Sequence, residues 1–170
     1  MSRNPAEALN AEEEFTWRAL TYLMTHLRGT LGDDLARETQ VGLSEYVALV
    51  HLSEAQDQRL TIGELANLCD LSPSRMSRLV DEMAQRGLVS KGRSSGDGRC
   101  VVATLRPEGL KTLKGLYPKQ LQNVRRRVFD LLSADEVRWL GKGLSKIRDG
   151  LAEGNDEDVP IPAETSAAPR

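Results

Sequence analysis

The stretch LTIGELANLCDLSPSRMSRLVDEMAQRGLV, residues 60–89, decides the fold of this chain because it predicts two helices separated by a tight turn. Thr61 and Glu64 stand three residues apart in the pattern of a capping box, which marks the start of the first helix. The apolar face of that helix ends at Cys69, so the helix has barely two turns. A cysteine on such a core face is expected to be an inert small hydrophobe.

The second helix of this stretch has start and stop signals of its own. Ser72 and Pro73 supply an N-cap hydroxyl and a proline at the first helical position. Gly87 is placed to be the left-handed residue that ends the helix. The apolar residues of one face predict the side that enters a core: Met76, Leu79, Val80 and Met83.

The opposite face of the second helix is rich in hydroxyls and guanidiniums. Its N-terminal turn has free backbone donors and the positive end of the helix dipole, which suit a phosphate. Arginines just beyond suit guanine edges, where a good bidentate pair is worth about 1–3 kcal/mol of discrimination. A solvated amphipathic face explains the same composition, and the helix alone leaves both interpretations open. The face consists of Ser74, Ser77, Arg78, Asp81 and Gln85, with Arg75 on its flank.

The next stretch, KGRSSGDGRC at residues 91–100, lies between two strand-like runs, LVSKGR and CVVATL. A phosphate-binding P-loop does not fit, because neither a Gly-Lys-Ser/Thr ending nor a helix follows the glycines. A plain hairpin turn at Asp97 leaves Arg93 and Arg99 unexplained. A basic hairpin beside a recognition helix can place an arginine in the minor groove, and Asp97 is spaced to orient Arg99. Two helices, a turn and a strand pair are the order of a winged helix-turn-helix.

Long amphipathic helices are predicted on both sides of this lobe. The N-terminal apolar period is expected to break at Gly32, where the acidic pair Asp33 and Asp34 follows and suggests a loop. A helix begins at Pro107, and Pro118 predicts a kink or a break inside it. A second capping box at Ser133 starts the last helix. The apolar residues of the first and last helices are Trp17, Leu20, Met24, Leu27 and Leu31, and then Val137, Leu140, Leu144, Ile147 and Leu151.

The composition is that of an ordinary soluble globular chain, with 39% hydrophobic and 28% charged residues. The net charge of −2 hides a basic centre, because residues 1–14 and 152–170 hold nine of the 25 acids but two of the 23 bases. Local field rather than total charge governs the encounter with a polyanion. No apolar run is long enough for a membrane span, no signal peptide is present, and two cysteines indicate a reducing cytoplasm.

No group of residues indicates an enzyme, a metal site or a cofactor. Neither histidine lies in a catalytic motif, and the two cysteines and two histidines lack ligand spacing. The run Arg125, Arg126 and Arg127 is expected to be a solvated helix face. Two rivals to a sequence-specific DNA-binding protein are a winged-helix protein-interaction module and a non-specific architectural DNA binder. The first needs acidic or apolar residues on the outer face of the second helix, and the second needs a larger positive charge.

In residues 60–89, and in DGRCVVATLRPEG at 97–109, the chain resembles the MarR-type winged-helix transcription factors. The shared pattern is Leu-Thr at the first helix, a serine-rich start of the second, Gly-Leu-Val after it, Asp-x-Arg at the wing, and a glycine at the start of the next helix. The resemblance covers roughly residues 12–151. The family usually has Thr or Ser after Leu105, where this chain has Arg106. Loss of that cap costs about 1 kcal/mol, and the arginine is a candidate for a phosphate contact instead.

The resemblance implies a mostly α (α+β) fold, a winged helix-turn-helix with a two-stranded β-wing and N- and C-terminal dimerisation helices. Residues 12–40 and 107–151 are then the helical dimerisation region, and 41–106 the DNA-binding lobe. Residues 1–11 and 152–170 are predicted to be disordered. The resemblance further implies a homodimeric repressor that binds a pseudo-palindromic operator in double-stranded DNA. The DNA-binding candidates are Thr61, Ser72, Ser74, Arg75, Ser77, Arg78, Arg93, Ser95, Asp97 and Arg99.

Many proteins of this type release DNA when a small, often aromatic or phenolic, anion binds between the dimerisation helices and the DNA-binding lobe. The ligand candidates in this chain are Arg18, Tyr22, His26 and His51, although a structural or solvated role is the commoner one for such residues. A redox switch through Cys100 is the alternative, because a neighbouring arginine stabilises a thiolate.

Overall fold

The computed structural model describes residues 8–93 and 100–154. Within those ranges the fold is mostly helical with a small sheet, which confirms the predicted fold class. No helix of this part is long and apolar enough to cross a bilayer. The elements are α1 Ala11–Thr39, α2 Leu43–Glu54, β1 Arg59–Thr61, α3 Ile62–Leu68, α4 Pro73–Gln85, β2 Val89–Arg93, β3 Val101–Leu105, α5 Pro107–Arg127 and α6 Ala134–Gly154, with 3₁₀ turns at Gln56–Gln58 and Phe129–Leu131.

The sheet has three antiparallel strands in the order β1-β3-β2. Strands β2 and β3 form the predicted wing, with Arg93 opposite Val101 and Val89 opposite Leu105. Strand β1 was not predicted, and it pairs with the other edge of β3, where Thr61 lies opposite Val102. Its three residues are too few to display the alternation that identifies a strand.

The helix-turn-helix forms as its local signals predict. The Thr61 hydroxyl accepts a hydrogen bond from the Glu64 amide at 3.2 Å, and the Glu64 carboxylate accepts one from the Thr61 amide at 2.7 Å. The turn places Asp70 in the left-handed region at φ 54°, and Ser72 caps α4. Gly87, at φ 74°, ends the second helix as predicted.

One apolar core joins the lobe to the long helices. Strand β3 and helices α2, α3, α4 and α5 all contribute fully buried side chains to it, so the recognition helix α4 rests on a rigid base. Cys69 lies in this core, on the predicted inner face of α3. The largest members are Leu49, Leu52, Leu65, Met76, Met83 and Leu113.

The predicted break of α1 at Gly32 is wrong, because α1 is one helix of 29 residues. The acidic pair that suggested a loop divides between solvent and interior: Asp33 is exposed, and Asp34 is 2% exposed. The Asp34 carboxylate accepts hydrogen bonds from Arg127 at 2.7 and 3.0 Å and from Arg37 at 2.7 Å. The helix therefore continues, because its buried acid is paired.

The three consecutive arginines of α5 are exposed, as a solvated helix face requires, but two of them also pair with a buried acid. Arg127 binds Asp34 directly, and the Arg126 guanidinium lies 3.2 Å from the same carboxylate. Arg125 points elsewhere and lies 3.7 Å from the Asp130 carboxylate. The run thus attaches α5 to α1, across 93 residues of sequence.

Pro118 does not break α5, which runs unbroken from Pro107 to Arg127. The missing amide of a proline frees the carbonyl four residues earlier, here that of Lys114. Both residues are exposed, so water can bind that carbonyl.

At both ends, the helices extend slightly into the segments that were predicted to be disordered. Helix α1 begins at Ala11, and Asn10 caps it by accepting hydrogen bonds from the amides of Glu12 and Glu13. Helix α6 extends to Gly154. The remaining parts of the two predictions, residues 1–7 and 155–170, lie outside the described residues.

We expect Asp34→Asn to lower the free energy of unfolding at neutral pH and to reduce its dependence on acid. Hydrogen bonding to Arg127 lowers the pKa of Asp34 from 3.8 to about 2, so folding favours the ionised carboxylate. A lowered pKa stabilises the fold fully above about pH 4, and that contribution is lost as the pH falls toward 2. Urea unfolding at pH 7 and at steps below pH 4 measures both effects.

Asp33→Asn is the matched control, because it removes the neighbouring exposed carboxylate. Its unfolding should follow that of the unsubstituted chain at every pH. Parallel acid-induced losses in Asp34→Asn and in the unsubstituted chain would contradict the role given to Asp34.

Gly109, near the start of α5, permits a close backbone approach to Leu88. A Cβ at this position would lie 2.2 Å from the Leu88 carbonyl oxygen and 2.8 Å from Leu105 Cδ1. That carbonyl also accepts the Arg106 amide at 3.0 Å, so it cannot move freely. The start of α5 therefore requires glycine.

We expect Gly109→Ala to destabilise the chain by about 1–3 kcal/mol, because the added methyl overpacks a fixed backbone contact. Gly115→Ala on the same helix is the control, since nothing lies within 4 Å of a Cβ there. The control should be neutral or stabilising, by up to about 1 kcal/mol. Equal unfolding midpoints for the two variants would show that the contact is not restrictive.

Candidate nucleic-acid interface

The outer face of α4 carries two exposed guanidiniums, those of Arg75 and Arg78. Within residues 8–93 and 100–154, neither side chain makes a hydrogen bond or an ion pair. Met76 and Val80, on the opposite side of the helix, are fully buried. Burial of that apolar side fixes which face of α4 is presented outward, so the predicted DNA-binding arginines lie together on the solvent side.

The hydroxyls at the start of α4 have partly structural roles. Ser72 Oγ accepts the Arg75 amide at 3.4 Å and lies 3.2 Å from Ser74 Oγ. Ser74 is exposed beside it. In this first turn the Ser74 amide is left as a donor for an anion, because Pro73 has no N–H, Ser72 caps the Arg75 amide and the Met76 amide bonds the Ser72 carbonyl.

The Thr61 hydroxyl is engaged inside its own helix. It accepts the Glu64 amide and donates to the Glu64 carboxylate at 2.8 Å. These hydrogen bonds from Thr61 lower the pKa of Glu64, which keeps the carboxylate ionised. Thr61 therefore has one free lone pair and no free proton for a DNA contact.

The wing lies beside α4, and its first strand, β2, ends at Arg93, the last described residue before the wing tip. This arginine is exposed at the end of β2. Ser95, Asp97 and Arg99 lie outside the described residues, so their DNA contacts and the orientation of Arg99 by Asp97 stay predictions.

Two cations near the recognition helix are used inside the protein. The Arg86 guanidinium donates to both carboxylate oxygens of Glu45 at 2.8 Å, which joins the end of α4 to α2. The Lys91 ammonium of β2 donates to the Asp81 carboxylate at 2.7 Å and to Ser77 Oγ at 3.1 Å. The sequence analysis missed Lys91, although its position two residues before Arg93 places both on one face of the strand.

Arg106 is the N-cap residue of α5 and makes no side-chain cap hydrogen bond. Its exposed side chain lies at the base of the wing, and Pro107 follows at the first helical position. Proline there reduces the need for a cap, because it lacks one of the amide donors that a cap would satisfy.

The structure brings three of the four ligand candidates together on α1. The rings of Tyr22 and His26 stack with centroids 4.2 Å apart, and Arg18 lies one turn earlier, where it binds Glu14. No hydrogen bond or ring contact in the described part of the chain joins them to His51, which is half-buried in α2.

The two cysteines differ in environment. Cys69 is fully buried, and its burial raises the pKa of the thiol to about 11, against the opposing effect of Arg28. The Arg28 guanidinium donates to the Cys69 carbonyl at 3.0 Å and so connects α1 with the helix-turn-helix turn. Cys100 is exposed at the start of β3. No cluster of three or more metal-binding side chains occurs among the residues that the structure describes.

Known proteins with this arrangement are transcriptional regulators. The sequence model of the MarR family matches residues 39–99. Sco3205, a MarR family transcriptional regulator from Streptomyces coelicolor solved in complex with DNA, is 31% identical, with a TM-score of 0.74 over 90% of this chain and 98% of that chain. AbsC, a MarR family transcriptional regulator from the same organism, is 28% identical, with a TM-score of 0.72 over 87% and 99% of the two chains.

Sequence comparison alone also identifies a transcriptional regulator as similar to this chain. The transcriptional repressor MprA of Escherichia coli (strain K12) is 24% identical over 156 residues, which cover 89% of this chain and 88% of MprA. The resemblance that residues 60–89 and 97–109 suggested is therefore confirmed.

Proposed function

The chain belongs to the MarR family of transcriptional regulators, and we propose that it is a homodimeric repressor that binds a pseudo-palindromic operator in double-stranded DNA. Membership of this family places it among regulators rather than enzymes. The observation that carries the proposal is the pair of exposed guanidiniums on α4, Arg75 and Arg78, which have no ion-pair partner among the residues that the structure describes. Such a pair matches the acceptor edges of guanine in the major groove.

Several features support DNA as the ligand of this face. The relative Sco3205 was solved in complex with DNA, and MprA is named a repressor. The face is dominated by serines and arginines, and its one acid, Asp81, is paired with Lys91, whereas a winged-helix protein-interaction module needs an acidic or apolar face there. Arg93, Ser95, Asp97 and Arg99 of the wing, together with Arg106, are the remaining contacts that we propose.

We expect a mobility shift with DNA flanking the chain's own gene, in excess over random competitor at a stated salt concentration. Arg78→Ala should weaken operator binding by about 1–3 kcal/mol, because it removes one bidentate base contact. Arg138→Ala, which removes an exposed guanidinium from α6, is the control and should bind as the unsubstituted chain does.

The alternatives give different results in the same assay. Equal affinity for operator and random DNA would indicate an architectural DNA binder. No shift with either DNA would indicate a protein-interaction module.

The proposed dimer rests on apolar surface that one chain leaves uncovered. Trp17 and Met24 of α1 are 55% and 60% exposed. Helix α6 carries an exposed apolar stripe at alternating steps of four and three residues, which is the spacing of helices that pack on each other. A patch of this kind marks an interface, because monomeric proteins seldom expose one. The stripe consists of Leu140, Leu144, Ile147 and Leu151.

We expect Leu144→Glu to shift the chain toward monomer in sedimentation equilibrium and to weaken operator binding at the same protein concentration. A carboxylate in the centre of an apolar interface has no partner and opposes association. Lys146→Glu places the same carboxylate on the opposite face of α6 and is the control. Unchanged association of Leu144→Glu would remove the stripe from the proposed interface.

For the effector we propose a small aromatic or phenolic anion near Arg18, Tyr22 and His26. The stacked rings of Tyr22 and His26 offer an aromatic surface, and Arg18 offers a cation. His51 belongs to the same proposal as a residue of the neighbouring helix. A thermal-shift screen of aromatic carboxylates and phenols, followed by the mobility shift, tests whether such a ligand binds and releases DNA.

A further inference from the structure

Lys91 differs from the arginines on the outer face of α4 because its charge is already paired. Its ammonium donates to Asp81 Oδ1 at 2.7 Å and to Ser77 Oγ at 3.1 Å. The Lys91 side chain is 27% exposed. Arg75 and Arg78, by contrast, are exposed and make no ion pair within the described residues.

These two hydrogen bonds link the two DNA-reading parts of the lobe. Lys91 lies in the middle of β2, where it pairs in register with Ala103 of β3. Ser77 and Asp81 lie one turn apart on α4. A change in the angle between wing and recognition helix must therefore break the ion pair or bend the strand.

The contact with Ser77 also determines what that hydroxyl can offer. An ammonium donates and cannot accept, so Ser77 Oγ is the acceptor in this hydrogen bond. The hydroxyl proton of Ser77 must then point away from Lys91. Hydrogen bonding to a cation also polarises the O–H bond and makes it a stronger donor.

We propose that Lys91 is a positioning residue for operator recognition, which fixes the wing against α4 through Asp81 and orients the Ser77 hydroxyl as a donor to DNA. The inference rests on the proposed function, because the donor needs an acceptor on DNA. Guanine O6 and N7, adenine N7, thymine O4 and phosphate oxygens all present that chemistry. The competing explanation for any effect of Lys91 on operator binding is a direct contact of its ammonium with a phosphate.

Salt dependence separates these two roles. Each lysine that neutralises a phosphate releases counterions, and its removal lowers the slope of log affinity against log salt by about 1. A lysine that acts on Ser77 and Asp81 leaves the slope unchanged. It changes instead the ratio of operator affinity to random-DNA affinity.

The first experiment compares Lys91→Met with Arg93→Met in the full chain, by fluorescence anisotropy with operator and random DNA between 50 and 200 mM salt. We expect Lys91→Met to weaken operator binding about five- to tenfold more than it weakens random-DNA binding, with the salt slope unchanged. Arg93→Met is the matched control on the same strand face, and it should lower the slope by about 1. Thermal unfolding of both variants verifies that they are folded.

The second experiment is a double-mutant cycle between Lys91→Met and Ser77→Ala on operator binding. If Lys91 acts through Ser77, the double variant binds no more weakly than the weaker single variant. Single base substitutions across the operator then distinguish whether the Ser77 hydroxyl donates to a base edge or to a phosphate. Loss of discrimination at one position in Ser77→Ala assigns a base edge, and uniform weakening assigns a phosphate.

Asp81→Asn gives a third result that does not depend on removing a cation. It removes a negative charge from a surface that faces DNA, so general electrostatics strengthens binding to any sequence. If Asp81 holds Lys91 in position, the preference for operator over random DNA falls in this variant. An unchanged preference would overturn the positioning role.

The possible failures are distinct. A slope lowered by about 1 in Lys91→Met, or additive losses in the cycle, overturns the inference while operator recognition stands. No preference of the unsubstituted chain for its operator overturns the proposed function, and the role of Lys91 with it.

Discussion

The arrangement of the long helices depends on the buried carboxylate of Asp34. A charge removed from water must be paired and hydrogen-bonded, and the guanidiniums of Arg37, Arg126 and Arg127 supply that pairing. Because two of these arginines come from α5, separating α5 from α1 would remove two of the three guanidiniums that compensate this charge. The same α1 reaches the helix-turn-helix turn through Arg28. The orientation of the helix-turn-helix relative to the long helices is therefore set by polar contacts as well as by the apolar core.

The cations of this chain divide into two groups, and the division matters more than the net charge. One group is committed to internal partners and holds elements together. The side chains of the other group face solvent on α4 and on the wing. A count of basic residues overstates the charge available to a polyanion, because a paired cation has little left to offer. Among the residues that the structure describes, the committed group includes Arg28, Arg86, Lys91, Arg126 and Arg127, and the outward group includes Arg75, Arg78, Arg93 and Arg106.

The features that could be predicted from sequence are those whose partners lie within a turn. The Thr61 capping box and the Gly87 stop are interactions over three to five residues, and both formed as predicted. The period of α4 likewise predicted which side faces outward. The pairing of Asp34 with Arg127 spans 93 residues and leaves no local pattern, so Asp34 suggested a loop. Lys91 was missed for the same reason, since its partners lie on another element.

Cys69 has a consequence for following the motion of this lobe. Its thiol is enclosed at the end of α3, and burial keeps it protonated at neutral pH. Reagents that modify thiolates can reach it only when the packing of α3 against α4 opens transiently. Once the exposed Cys100 is replaced, the rate at which a thiol reagent labels Cys69 measures how often that packing opens. The native Cys69 thiol thus reports transient opening of the packing beneath the recognition helix, without an introduced fluorophore or isotope.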